Sequence, residues 1–200
     1  MNEILPDVFS WSWRSPRHGY DFNGYFVHLP NGNVCIDPAE MSDEVLDELA
    51  ERGLSYIVLT NRNHVRACER VRRKTGAPVF IHPADAAEAE HLGAAIEEYL
   101  EEGQAIGPLI VHSAAGKSPG EICLHWPDRK TLFVGDACIG TPPGRCSLLP
   151  EKVMEDPLAL QRNLRRICSK IDFDALLVGD GEPILRGGRR ALQDLVATFS

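Results

Sequence analysis

Apolar residues fall along this chain in short blocks closed by Gly, Pro, Asn or Asp, a pattern of brief strands and helices rather than of long amphipathic helices. Val8-Phe9-Ser10-Trp11 and Tyr25-Phe26-Val27-His28-Leu29 are rich in aromatic and β-branched residues and predict strands. Pro30-Asn31-Gly32-Asn33 predicts a turn back through Val34-Cys35-Ile36, a hairpin ending at Asp37-Pro38. Ser42 ahead of Asp43 and Glu44 predicts a helix start, with Val45, Leu46 and Leu49 on one face and Gly53 as the stop. Tyr56-Ile57-Val58-Leu59 predicts a buried strand, followed by a helix to Thr75-Gly76 and a strand at Pro78-Val79-Phe80-Ile81. Residues 84–102 read as helical with a break near Gly93, their paired glutamates at 97–98 and 101–102 forming a solvated face.

After Gly103 the pattern returns to strands. Leu109-Ile110-Val111-His112 and Glu121-Ile122-Cys123-Leu124-His125-Trp126 are followed by a turn at Pro127-Asp128-Arg129-Lys130 and a strand through Thr131-Leu132-Phe133-Val134. Asp156 before Pro157 predicts a helix carrying Leu160, Leu164 and Ile167, then a strand at Leu176-Leu177-Val178 and a closing helix lined by Leu192, Leu195, Val196 and Phe199. No low-complexity tract or fixed-period repeat occurs, which excludes solenoids and propellers. Hairpins mixed with helix-connected strands predict an α/β protein of two facing mixed sheets with helices outside, built as one domain over residues 1–200.

Composition narrows the function classes. A net charge of -8 argues against a surface that coats nucleic acid. Nowhere do about eighteen apolar residues run together, so no membrane partner is expected, and with no basic, apolar leader pattern at Met1-Asn2-Glu3-Ile4-Leu5-Pro6-Asp7 the expectation is a cytoplasmic protein. The six cysteines, Cys35, Cys68, Cys123, Cys138, Cys146 and Cys168, show no C-x-x-C spacing and read as buried free thiols. A homo-oligomer is compatible with the chain, but no residue pattern asks for one.

Four landmarks in order carry a resemblance. They are Leu59-Thr60-Asn61-Arg62-Asn63-His64-Val65-Arg66 after a strand, Ala115-Gly116-Lys117-Ser118-Pro119-Gly120, Val134-Gly135-Asp136 at a strand end, and Gly179-Asp180-Gly181-Glu182-Pro183 after the last strand. Together they resemble the metallo-β-lactamase superfamily, whose counterparts are T-H-x-H-x-D-H, P-G-H-S-P-G, an apolar strand before G-D, and G-H-G-x-P. The resemblance covers most of the chain and implies an αβ/βα sandwich with a two-metal hydrolytic centre. This sequence departs from it at most ligand positions. Aligning the first motif at Thr60 loses every ligand, whereas aligning it at the following helix keeps His64, and the latter is preferred because it leaves the buried helix face in register. Lys117 replaces a histidine, Asp180 replaces another, and Asp136 is retained.

The candidate pocket residues are therefore Asn61, Arg62, Asn63, His64, Arg66, Lys117, Asp136 and Asp180, with no catalytic residue assigned. One reading has no cofactor: basic side chains, Lys117 above all, replace the metal charge, Lys117 lies within salt-bridge reach of Asp136 or Asp180, and the protein binds a small polar or anionic ligand or is non-catalytic. The alternative is a mononuclear hydrolase of an ester, amide or phosphoester holding one zinc, manganese or iron ion on His64, Asp136 and Asp180. A third class is a self-associating scaffold. Each residue also has a plain structural role open to it. His64 fits a helix-start histidine bonded to a carbonyl, Asp136 and Asp180 fit turn formers, and Cys138 fits a buried small thiol. His82, His112 and His125 read as packing or surface residues, and Trp11, Trp13 and Tyr25 as core or pocket wall. The Gly140-Thr141-Pro142-Pro143-Gly144-Arg145 loop is read either as an overhang of the cleft or as a plain connection.

Overall fold

Alternation of apolar and polar residues over the first third of the chain builds a sheet edge first. In the computed structural model, which describes residues 1–199, β1 (Asn2–Leu5), β2 (Val8–Arg14), β3 (Asp21–Val27) and β4 (Val34–Ile36) pair antiparallel in sequence order. β5 (Tyr56–Val58), β6 (Val79–Ile81) and β7 (Glu98–Tyr99) extend the same sheet in parallel, giving the order β1-β2-β3-β4-β5-β6-β7. The switch to parallel pairing requires crossovers, which α1 (Asp43–Arg52), α2 (Cys68–Thr75) and α3 (Pro83–His91) supply. Leu46 and Leu49 of α1, Cys68 and Val71 of α2 and Ala86 and Ala89 of α3 are buried in one core with Trp11, Phe26, Ile57 and Val79. This unit spans Met1–Leu100.

The second unit, Glu101–Ser200, carries a five-stranded sheet in the order β12-β11-β10-β9-β8. β8 (Ala105–Ile106), β9 (Leu109–Ser113), β10 (Ile122–Trp126) and β11 (Thr131–Gly135) are antiparallel neighbours, and β12 (Ala175–Val178) lies parallel to β11. The crossover between those two is α4 (Pro157–Lys170), whose first turn is capped by the Asp156 carboxylate accepting from the Ala159 amide at 2.8 Å. α5 (Gly188–Val196) closes the chain. Leu160, Leu164 and Ile167 of α4 and Leu192 of α5 pack on Leu132, Val134, Leu176 and Val178 in a core distinct from the first.

Most elements lie where the apolar pattern predicts them, and the departures share a cause. The helical stretch expected over residues 84–102 breaks near Gly93 as expected, α3 ending at His91 where Gly93 has φ +102 and the Ala94 amide bonds back to Ala89 O at 3.0 Å, but it does not resume. Beyond it the chain is an edge strand: Phe80 pairs with Glu98, and the Glu97 carboxylate accepts the Val79 amide at 2.8 Å and meets Arg72 at 3.2 Å. The glutamates are exposed as expected, but on an extended segment rather than a helix face. β7 and β8, two residues each, are too short to carry a periodic signal, β1 buries none of its residues, and all three exist through pairing with a neighbour. All six cysteines are buried and free.

Gly24 stands opposite Trp11 in the β2–β3 ladder, and a Cβ there would meet the Trp11 ring at 2.3 Å. The indole lies over the bare backbone while its Nε1 donates to Ala39 O at 3.1 Å, so it has no room to give. Gly24→Ala is expected to lower unfolding stability by about 1–3 kcal/mol in denaturant titration, the usual effect of overpacking.

Candidate functional site

In the first unit the polar residues cluster at the carboxyl ends of the parallel strands β4 and β5, where an α/β sheet leaves side chains of successive strands side by side. Asp37 follows β4 with φ +50, a left-handed conformation that aspartate tolerates better than most residues, and its amide donates to Val58 O at 2.9 Å. The turn aims its carboxylate at the end of β5. There the Thr60 amide donates to Asp37 Oδ1 at 2.8 Å and the Thr60 hydroxyl to Oδ2 at 2.6 Å. His64 Nδ1 lies 2.9 Å from the same Oδ2 and 3.2 Å from Thr60 Oγ1.

Because the Thr60 hydroxyl gives its proton to Asp37, both oxygens around Nδ1 accept, so Nδ1 carries a proton. Asp37, Thr60 and His64 are all essentially inaccessible to water, which holds the imidazole in one orientation. The bond is to a carboxylate, not to the carbonyl considered from the sequence.

Neighbouring candidates support this turn. Asn61 caps the short 3-10 segment Arg62–Val65 by accepting the Asn63 amide at 2.8 Å, and the Arg62 amide donates to the buried Asp85 carboxylate at 3.0 Å. Arg66 lays its guanidinium 4.0 Å from the centroid of the Phe22 ring. His82, expected to be a packing or surface residue, caps α3 by accepting the Ala84 amide at 3.2 Å.

In the second unit the same logic places Asp136 and Asp180 after the parallel strands β11 and β12, with the Gly179 amide donating to Gly135 O at 2.9 Å. Gly140 and Gly181 then pack backbone to backbone: the Gly140 amide bonds Asp180 O at 2.9 Å, and a Cβ at Gly140 would stand 2.0 Å from Glu182 O. Lys117 comes from the loop between β9 and β10. That loop is pinned where Gly116, at φ +146, lets its carbonyl accept the amides of Glu155 and Asp156 at 3.0 and 2.8 Å, leaving no space for a Cβ beside Leu160.

So held, Lys117 Nζ lies 2.7 Å from Asp136 Oδ2, the ion pair expected of the lysine substitution, with side-chain exposures of 7% and 5%. The Asp136 amide donates to Glu121 Oε1 at 2.8 Å, and Glu121 is itself buried. Burial by itself would push the Lys117 ammonium toward neutrality, but the negative fields of Asp136, Glu121 and Asp180 more than offset it and raise the pKa above its ordinary 10.5. Lys117, Asp136 and Asp180 are thus brought into one electrostatic cluster, as are Asn61, Arg62, Asn63 and His64 along one turn.

Two residues escaped the sequence reading. Asp37 was taken as the end of a hairpin, although a carboxylate closing one parallel strand beside a threonine closing the next was a usable signal. Glu121 was counted within a strand. Its partner lies across the β10–β11 hairpin, which residue spacing alone did not reveal.

Lys117→Met leaves Asp136 buried without its counter-charge and is expected to destabilise the fold by about 3–5 kcal/mol in urea titration. Since the Lys117 pKa is higher in the fold than its ordinary 10.5, this contribution is complete at neutral pH and disappears as pH rises through the folded-state value. The stability gap between wild type and Lys117→Met therefore narrows above about pH 10.5. Asp37→Ala strips acceptors from the buried Thr60 amide and His64 ring, and its denaturation midpoint should fall by the equivalent of about 2 kcal/mol or more.

Comparison with known proteins supplies the frame for both clusters. The family model described as the metallo-beta-lactamase superfamily matches residues 2–199. A hydroxyacylglutathione hydrolase of Cereibacter sphaeroides is 32% identical over 132 residues, 62% of this chain and 51% of that protein, and a second from the same species is 31% identical over the same span. The chain spans about half the length of these curated relatives. Among solved structures, TTHA1623 in a di-iron-bound form is 25% identical with a TM-score of 0.67, covering 88% of this chain and 94% of its own. A metallo-beta-lactamase from Pontibacter korlensis, 18% identical, superposes with a TM-score of 0.81 over 99% of this chain and 98% of its own, a likeness of fold. With a family model over nearly its full length and the mixed α/β fold of these structures, the chain belongs to the metallo-β-lactamase superfamily.

Proposed function

We propose that this is a metallo-β-lactamase-fold protein in which side-chain charge has taken the place of the two-metal centre, and that it binds a small polar or anionic ligand or is non-catalytic. The observation that carries the reading is the Lys117–Asp136 pair at 2.7 Å. An ammonium on Oδ2 of the strand-end aspartate puts a like charge where a bridging pair of divalent ions would need that carboxylate, in surroundings that screen little. The residues present do not fit a dinuclear centre, and no hydrolytic step is assigned to one. A retained ammonium instead gives the cluster a fixed cation able to meet a carboxylate or phosphate once Asp136 is displaced from it.

A second reading, one divalent ion and hydrolysis of an ester, amide or phosphoester, is favoured by a different observation. Asp37 holding Nδ1 of His64 is the carboxylate–imidazole arrangement that orients metal-binding histidines and leaves Nε2 to the metal. The relatives that are hydroxyacylglutathione hydrolases make hydroxyacylglutathione the first substrate to try under this reading.

Elemental analysis of protein purified without chelator separates the two. Under the first reading, metal content stays well below one ion per chain and does not change in His64→Ala, Asp136→Ala or Asp180→Ala. Stoichiometric zinc, manganese or iron that is lost in those variants, with turnover of hydroxyacylglutathione, would overturn it in favour of the second.

A further inference from the structure

Outside the charged clusters, the second unit contains a pair of thiols beside a cavity. After Asp136 the chain runs through Cys138 into the proline-containing loop and returns at Ser147. Ile139 and Ser147 exchange backbone hydrogen bonds, N–H to O distances being 2.9 and 3.0 Å, and the Ser147 hydroxyl donates to Thr141 O at 2.9 Å. This closure brings Cys138 and Cys146, each one residue before a bridge partner, into the same buried cluster.

The two sulfurs differ in access. Cys138 is wholly buried, whereas Cys146 is 8% exposed and lines a cavity of about 660 Å³. Arg145, Arg186 and Arg190 line the same cavity against one carboxylate, Asp194, which Arg190 meets at 3.0 Å. The neighbouring Cys138 thiol favours a Cys146 thiolate and lowers its pKa below the ordinary 9.0, outweighing burial and the field of Asp194. A cavity-facing thiolate with a second thiol in contact behind it is the arrangement of an attacking and a resolving cysteine, and the guanidinium groups favour a reactant that carries carboxylates.

We propose that Cys146 and Cys138 form a redox-active dithiol that exchanges with a small carboxylate-bearing disulfide in the arginine-lined cavity. The Cys146 thiolate attacks one sulfur of the disulfide R–S–S–R, forming Cys146–S–S–R and expelling one thiolate. Cys138 gives up its proton and attacks Cys146 Sγ, breaking the bond to R–S and forming the Cys138–Cys146 disulfide. Two protein thiols are oxidised, one R–S–S–R is reduced to two R–SH, and the two protons lost by the cysteines are carried by those products. The inference is independent of how the Lys117–Asp136 cluster is read.

The test uses the reduced full chain with 3,3′-dithiodipropionate as probe, acid quenching, intact mass and peptide mapping. Two of the six thiols should disappear, with Cys138 and Cys146 recovered as one cross-linked peptide. Cys138→Ser should accumulate a single adduct on Cys146, and Cys146→Ser should show neither product. Cys168, which lies close enough to Cys146 to feel its charge, is the internal competitor. A cross-link to Cys168, first reaction at any other cysteine, or retention of all thiols in the wild type overturns the proposal, and these wild-type readouts do not depend on a variant folding. Uncharged bis(2-hydroxyethyl) disulfide, with rates normalised to the unfolded chain, should react about tenfold more slowly. Equal normalised rates would overturn the assignment of the arginines.

Discussion

The Lys117–Asp136 pair sets conditions that much of the second unit meets. An ammonium and a carboxylate drawn almost entirely out of water are tolerable only if they stay together, since separating them leaves a bare charge in a medium that screens it poorly. The backbone around them is accordingly stiff. Gly116 anchors the lysine loop to the start of α4, Glu121 accepts the Asp136 amide, and the glycine contact between residues 140 and 181 fixes the loops after β11 and β12.

The first unit solves a similar problem with hydrogen bonds. Asp37 is buried, and its two oxygens are met by an amide, a hydroxyl and an imidazole, three donors delivered by the end of the adjacent parallel strand and the turn that follows. Such a network rigidifies because each member is aligned by the others. His64 is consequently held in one orientation by the bond at Nδ1, which matters for any role it has, whether toward an ion or toward an organic ligand. Both units place their polar chemistry at the carboxyl ends of a parallel strand pair, β4–β5 in one and β11–β12 in the other.

The thiol pair follows another rule. Cys138 and Cys146 sit in a core of apolar side chains, and burial normally makes a cysteine inert by disfavouring its thiolate. Contact between two thiols changes that balance for the one nearer the cavity, because a donor is supplied where water is excluded. None of the described helices is long and apolar enough to cross a membrane.

Read from residue order alone, the chain disclosed its strands and helices wherever apolar side chains recur with a clear period, as at Val8, Tyr25, Leu109 and Leu160, because burial of one face is a local property of sequence. It also disclosed which family landmarks had been altered, Lys117 and Asp180 among them, and which kept, His64 and Asp136, since residue type at a motif position needs no coordinates. It located the helix to His91 and the break near Gly93 but missed the short edge strand at Glu98–Tyr99, whose existence depends on β6 offering unpaired backbone groups. The pairing of Lys117 with one of the two site aspartates was legible from the order of the motifs, but other partner choices were not. That Asp37 holds His64 and that Cys138 lies beside Cys146 depends on strand register and loop closure, which bring distant residues together only once the sheets have formed.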